Sequence, residues 1–482
     1  MNRNTDIRAT YRSPFVTRWA GRQMLENWSD LRKFRTWRRL WIALAEAQSE
    51  LGLDISEEQI EELKEHADDI PFGRVAEIER EIRHDVMAHV RAWGEQCPGA
   101  RGIIHLGATS AFVGDNGDLI RMREGLRLLL GPVSRACRNL ADFAREYRSF
   151  PCLGYTHYQP AQVTTVGKRA CLWLQDLLEA LRALDAQRAE MPFRGAKGTT
   201  GTQASYLALF DGDEERVKEL DRTVAEKMGF SRVLPVTGQT YPRRLDYDVL
   251  TALGRLGIAC HKMAGDIRLL AGLKEMEEPF GKKQVGSSAM AYKRNPMRSE
   301  RMASLSRYLL NLAQNAAFTA ADQWLERTLD DSANRRLSLA EGFLAADSIA
   351  RVAANVTSGL VVNEKVVARR LEAELPFMAT ENILMAAVRA GGDRQELHER
   401  IRRHSMQAAE RVKAGDGTND LVDRIREDPA FGAVADNLDE LLDAASFVGR
   451  APSQVDEFLT ENVEPVLAEF EDLEAGEQGL RV

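Results

Sequence analysis

The chain has 482 residues, 44% of them hydrophobic and 29% charged, with a formal net charge of -8. That balance describes a folded globular protein of roughly two to four structural units. It argues against disorder and against non-specific nucleic-acid binding, which relies on many cations to neutralise phosphates.

The five cysteines, Cys97, Cys137, Cys152, Cys171 and Cys260, are scattered, odd in number and never arranged as CxxC. This is a reduced, intracellular pattern without a zinc signature. Met1 to Trp19 carries charge throughout and lacks the apolar core of a secretory signal, and no run approaches the roughly 18 apolar residues that span a bilayer. A cytoplasmic location is expected.

In chain order, the first segment predicts short helices over Arg32 to Leu51 and Ser56 to His66, the latter with Ser56 as N-cap and Gln59 three residues on. From Asp115 to Arg148, apolar residues fall at Leu119, Met122, Leu126, Leu129, Val133, Ala136, Leu140 and Phe143, the seam of a long packed helix. Gly131 and Pro132 interrupt it, and a kink rather than an end is expected. Val249, Leu253, Leu256, Cys260, Met263, Ile267 and Leu270 repeat the spacing, and two more runs follow, from about Arg298 to Trp324 and Arg335 to Leu360.

Strand alternation is nearly absent, so the expected fold is all-α, with a central bundle of long helices. The periodicity starts near Gly107 and stops near Val362, which divides the chain into 1–110, 111–362 and 363–482. The last part predicts short helices broken at Glu374 to Phe377, Gly391 to Asp393 and Gly415 to Gly417, and the acidic last dozen residues are expected to fray.

Polar, glycine-marked interruptions concentrate the chemistry. Gly286-Ser-Ser-Ala-Met-Ala-Tyr-Lys-Arg-Asn-Pro296 precedes a helix start and offers hydroxyls and cations to an anion; a solvated interhelical loop is the plain alternative. In Gly154-Tyr-Thr-His-Tyr-Gln-Pro-Ala-Gln162, His157 stands before a proline expected to set up a helix. Histidine exchanges protons near neutral pH, although a lone one is more often a structural hydrogen-bonder. Arg83-His84-Asp85 reads equally as a charged helix face, and Gly107 to Asn116 as an N-cap at Thr109 or Ser110. His84 and His89, five apart, point to different helix faces and cannot form an i, i+4 metal pair. Gly195, Gly198 and Gly201 fit no nucleotide fingerprint and read as a flexible turn region.

Together these segments carry a resemblance. GSSAMAYKRNP is similar to the loop GSSxMPxKxNP of the fumarase/aspartase superfamily, whose members eliminate fumarate from succinyl-containing substrates. YRSPFVTRW, RHDVMAHV, GATSAFVGDN, GYTHYQPAQVTTVGKR, FRGAKGTTGTQAS, TGQTYPR, KRNPMRSER, ERTLDDSANRR and LPFMATENI narrow it to adenylosuccinate lyases of the animal type, in order from Tyr11 to about Phe458.

The resemblance implies an enzyme of purine nucleotide biosynthesis. It would convert adenylosuccinate to AMP and fumarate, and the succinylated aminoimidazole carboxamide ribotide SAICAR to AICAR. Ser287 would be the general base, His157 the general acid and Glu300 the carboxylate that charges His157. Lys293 and Asn295 would hold the succinyl carboxylate, and His84 would serve both catalysis and binding. Arg18, Trp19, Arg83, Asp85, Thr109, Ser110, Gln239, Arg301, Arg327, Ser332 and Arg336 would bind phosphate, base and succinyl group. Trp19 stands where the family often has Tyr, and Ala291 where its loop has Pro. No cofactor or metal is implied. The implied assembly is a homotetramer with a shared central bundle and sites built from three subunits, a number that spacing does not fix.

The implied roles suit the chemistry. The abstracted proton lies beside a carboxylate, so the transition state carries two negative oxygens that fixed cations and dipoles would stabilise. Three other readings stand beside this one: a sister enzyme such as argininosuccinate lyase or a cycloisomerase, a catalytically silent helical scaffold, and a nucleic-acid-binding helical protein.

Overall fold

In a computed structural model, which describes residues 9–415 and 417–473, five long helices run through the centre of the chain. They are Ser110–Glu146, Val166–Ala189, Arg244–Gly272, Met297–Ala321 and Asp330–Thr357. They pack lengthwise, and their seams are dry: Leu119, Met122, Leu126, Leu129, Val133, Ala136 and Leu140 are fully buried, as are Val249, Leu253, Leu256, Cys260, Met263 and Ile267. Burial at this spacing is why propensity-neutral stretches persist as helices of 24 to 37 residues. The first of them runs uninterrupted through Pro132, where the Ser134 hydroxyl donates to the Gly131 carbonyl.

Ahead of the bundle, Asp30–Glu50 packs on the Ser110–Glu146 helix, followed by Glu57–Glu65, Phe72–Ile82 and Asp85–Gln96. Ser56 caps its helix in a reciprocal capping box with Gln59. All of these but the Phe72–Ile82 helix share one continuous core with the bundle; Val75 and Ile78 of that helix pack with Ala88 and Ala92 in a small cluster of their own. A second cluster, built from Ala379, Ile383, Leu397, Ile401, Leu421, Ile425 and Phe431, belongs to the later helices, and residues 451–470 return to the first core. The division at 110 and 362 stands as a proposal.

Three local expectations are corrected. A β-hairpin, β1 (Pro151–Thr156) with β2 (Gln159–Thr165), interrupts the mainly helical chain, and Met276–Glu277 pairs with Val361–Val362 in a second, two-residue ladder. Pro160 lies within β2, and the next helix starts only at Val166, capped by the Thr165 hydroxyl on the Lys168 amide. A two-stranded ribbon has free edges, where proline costs no ladder bond. Secondly, Pro376 does not break its helix, which continues to Met378. Thirdly, of the stretch read as a flexible turn, Gly195 to Gly198 is buried together with residues 191–194, while 199–205 are exposed or half-buried: Lys197 pairs with Asp221, and Asn116 accepts the Arg194 and Gly195 amides. The breaks at Gly391–Asp393 and Gly415 appear as expected. Residues 1–8, part of the segment read for a signal, and 474–482, most of the tail expected to fray, lie outside the described residues.

Candidate active site

A cavity of about 360 Å³ opens where the Ser110–Glu146 and Asp330–Thr357 helices begin. It gathers six of the residues singled out in the sequence, Asp85, Ser110, Gln239, Arg327, Ser332 and Arg336. Arg83 and His84 adjoin it at a sharp junction rather than on one helix face. Arg83 ends the Phe72–Ile82 helix in the left-handed region at φ 54°, and His84 caps the next. The His84 Nδ1 accepts the Met87 amide at 3.2 Å, which leaves its proton on Nε2. Thr109 occupies the N-cap position of the long helix, but its buried hydroxyl makes no cap bond and has no partner. A buried hydroxyl without a partner, one residue before Ser110 of the cavity, is a group that calls for an explanation. Gln239 is held by its amide on the Glu326 carbonyl, 3.0 Å, a close approach that Gly238 permits.

Beneath the cavity lies a buried charge network that sequence reading missed. Arg243 donates to Asp331 at 2.6 Å and to both oxygens of Asp115 at 3.0 and 3.2 Å. Arg335 donates to Asp246 at 2.6 Å and meets Asp118 at 3.1 Å, while Arg121 also binds Asp118, at 2.5 Å. Tyr241 donates its hydroxyl to Asp246 at 2.6 Å, and Arg327 donates to Asp331 at 2.7 Å. Burial alone would raise the Asp118 carboxyl, but Arg335 and Arg121 hold it below its ordinary value. Burial drives the Tyr241 phenol well above its own. The signal that could have found this network is Asp115, Asn116, Asp118 and Arg121 inside an apolar-periodic helix. Polar residues buried there require partners.

The glycine-marked loop lies at the start of the Met297–Ala321 helix. Ser287 Oγ accepts the Met290 amide at 3.1 Å and the Ala289 amide at 3.4 Å. Asn295 Nδ2 donates to the Gly286 carbonyl at 2.7 Å, closing the loop on itself, while Lys293 and Ala291 are exposed. The feet of the loop are tied by buried Glu278, which accepts the Arg298 and Ser299 amides, and by Arg298 on the Pro279 carbonyl. Burial lowers the pKa of Arg301, and Arg298 and Arg18 lower it further. Three crowded guanidinium groups favour an anion between them. Trp19, on the Phe15–Trp19 turn with Arg18, stacks edge-on against Phe15 at 5.6 Å.

His157 sits at the tip of the hairpin with φ 52°, and Tyr158 follows at φ 58°. Two consecutive left-handed residues are the requirement of a tight type I′ turn, normally met by Asn-Gly, so an uncommon pair of side chains is held here. The hairpin is anchored by the Tyr155 hydroxyl on Glu275, 3.0 Å, close to the foot of the loop. His157 and Glu300 are both exposed, and no ion pair joins them within this chain.

The helices themselves separate these groups. Ser110 begins a helix of 37 residues whose far end leads into the hairpin, and Arg243 precedes one of 29, Arg244–Gly272, whose far end leads toward the loop. At 1.5 Å per residue these helices are about 55 and 40 Å long, which puts the cavity at one end of them and the loop and hairpin beyond the other.

A larger cavity, about 760 Å³, lies among Arg32, Arg123, Arg127, Arg188 and Lys227 and contains none of the residues singled out in the sequence. Its cations are largely answered by carboxylates: Glu124 pairs with Arg127, Asp185 with Arg188, and Glu46 and Glu50 with Lys227.

Family models match two stretches of the chain, one described as lyase over residues 18–309 and one as adenylosuccinate lyase C-terminus over residues 376–458. The adenylosuccinate lyase of Saccharomyces cerevisiae is 52% identical over 464 residues, 96% of each chain. The chain belongs to the adenylosuccinate lyase family. The adenylosuccinate lyase of Schistosoma mansoni is 48% identical over 96% of this chain and 97% of its own, and that of Archaeoglobus fulgidus is 32% identical over 92% and 97%. Among solved structures, a fumarate lyase from Mesorhizobium is similar with a TM-score of 0.79 at 22% identity, covering 94% of this chain and 100% of that one. A 3-carboxy-cis,cis-muconate lactonizing enzyme from Pseudomonas putida gives 0.80 at 21%, covering 94% and 99%. At such identities these two speak for the fold alone. Among the described residues, no helix is long and apolar enough to cross a membrane.

Proposed function

We propose that the protein is an adenylosuccinate lyase, eliminating fumarate from adenylosuccinate to leave AMP and from SAICAR to leave AICAR. The observation that carries this reading is the near end-to-end match to adenylosuccinate lyases at 48% to 52% identity.

In the mechanism, Ser287 removes a proton from the carbon beta to the departing nitrogen. A neutral hydroxyl is a weak base, and the two loop amides already aimed at Ser287 Oγ, with Lys293 nearby in sequence, stabilise its alkoxide once water leaves. The carboxylate beside the abstracted proton takes up negative charge, which Lys293, Asn295 and the Arg18–Arg301 group meet. His157 donates a proton to the leaving nitrogen, with Glu300 as the carboxylate that orients it. Gln239, Ser110, Asp85, Arg83, His84 and Thr109 hold the nucleotide, with Arg327, Ser332, Arg336 and the Trp19 turn. Closure of the loop completes the site.

Placement of the two groups beyond opposite ends of helices about 40 to 55 Å long supports sites assembled between subunits. Large apolar side chains exposed on four bundle helices, among them Leu172, Ile258, Phe318 and Leu337, support the bundle as the contact. The homotetramer with three-subunit sites is therefore part of the proposal, as is a cytoplasmic location.

The test is fumarate release from adenylosuccinate, followed by ultraviolet absorbance, in parent protein and in Ser287→Ala and His157→Ala. Activity in the parent with loss of at least about a thousandfold in both variants is expected. A folded, tetrameric but inert parent would overturn the reading.

A further inference from the structure

Four of the five carboxylates that line the cavity are committed to particular arginines: Asp331 to Arg243 and Arg327, Asp115 to Arg243, Asp118 to Arg121 and Arg335, and Asp85 to Arg336 at 3.5 Å; the fifth, Asp30, forms no ion pair among the described residues. Lys33, on the Asp30–Glu50 helix, lines the same cavity, and among the described residues it forms no ion pair. Its Nζ is 5.0 Å from the ring centroids of both Phe34 and Trp37, which fixes where the ammonium sits. Burial lowers its pKa; Asp118 counteracts this, and Arg121 and Arg336 lower it further. A partly desolvated ammonium beside two guanidinium groups, without a carboxylate of its own, is stabilised by an incoming anion.

We infer that Lys33, together with Arg336, receives the phosphate of the nucleotide. This rests on the adenylosuccinate reading and adds a ligand that the sequence motifs do not include. Phosphate is favoured over the succinyl carboxylates because those have candidate partners in Lys293 and Asn295, at the loop end of the bundle. The cavity also offers the Ser110 and Ser332 side chains as neutral donors to the remaining phosphate oxygens. Lysine suits this task as a point charge.

The experiment compares AMP with adenosine, which differ only in the phosphate, by calorimetric titration of the full-length protein and of Lys33→Met, whose stem still covers Phe34 and Trp37. In the variant AMP should weaken by about 10- to 100-fold, the worth of one charge-assisted hydrogen bond, while adenosine changes less than about threefold. Lys33→Arg should recover most of the loss, and KM for adenylosuccinate should rise with kcat nearly unchanged. If Lys33→Met fails to assemble, Lys33→Gln is measured in its place. Equal weakening of AMP and adenosine, or unchanged AMP binding, overturns the assignment of Lys33 while leaving the lyase reading intact. A parent that binds no AMP and releases no fumarate overturns both.

Discussion

The buried network beneath the cavity makes a quantitative prediction at Asp331. Its carboxylate is fully buried and holds Arg243 through one oxygen and Arg327 through the other. Asp331→Asn keeps the shape and removes the charge. Breaking a buried pair from one side costs about 3–5 kcal/mol, because the remaining charge stays desolvated. Here Arg243 retains both bonds to Asp115, and Arg327, a quarter exposed, can turn toward water, so the lower end, about 3 kcal/mol, is expected. Urea denaturation at fixed protein concentration measures it, since assembly contributes to the midpoint. Arg243→Met should cost a similar amount, and the double variant should fall short of the sum by about 1–3 kcal/mol, because both changes break one interaction. Loss of less than about 1 kcal/mol in Asp331→Asn, or strict additivity, would refute the claim that this network ties the starts of three bundle helices together.

Three further outcomes follow from particular residues. Burial holds the pKa of His89 at about 4, with Arg38 and Lys33 adding to the effect, and its ring stacks on Phe34 at 3.9 Å. The unfolded chain therefore takes up the proton first, and stability is full above about pH 6.5 and falls as pH drops toward 4, by about 2 kcal/mol at pH 5; His89→Gln should flatten that slope in denaturation curves, and an unchanged slope counts against it. Gly286→Ala places a methyl group against the Lys293 carbonyl at the neck of the loop; kcat should drop more than about tenfold with assembly intact, as read by fumarate release and light scattering. Ala291 is exposed in the same loop, and Ala291→Pro should raise turnover about two- to fivefold by reducing the entropy lost on closure, whereas a fall would show that proline does not fit this backbone.

Long apolar periodicity made the bundle legible in the sequence. Leu119 to Phe143 and Val249 to Leu270 repeat often enough that only a helix buries them all, and the capping box at Ser56 is a local interaction within four residues. The hairpin was not legible. Its alternation is broken by a bulge between Gly154 and Tyr155, and its turn uses His157 and Tyr158 in place of Asn-Gly. The buried turn at 191–198 escaped for a related reason. Its partner Asp221 lies 24 residues beyond Lys197, and burial of that pair is a long-range outcome.

Residue types and motif order determined which side chains belong to the candidate chemistry, because that depends on chemical identity. Their grouping was decided by tertiary structure. Helix length sets Asp85, Ser110, Gln239, Arg327, Ser332 and Arg336 at one end of the bundle and Ser287, Lys293 and His157 at the other. Lys33 shows the same division: in sequence it is one more cation on a charged helix, and only the packing of that helix beside Asp118 and Arg336 leaves it facing the cavity without an ion pair. Distances between residues far apart in the chain arise from packing, which local propensity does not encode.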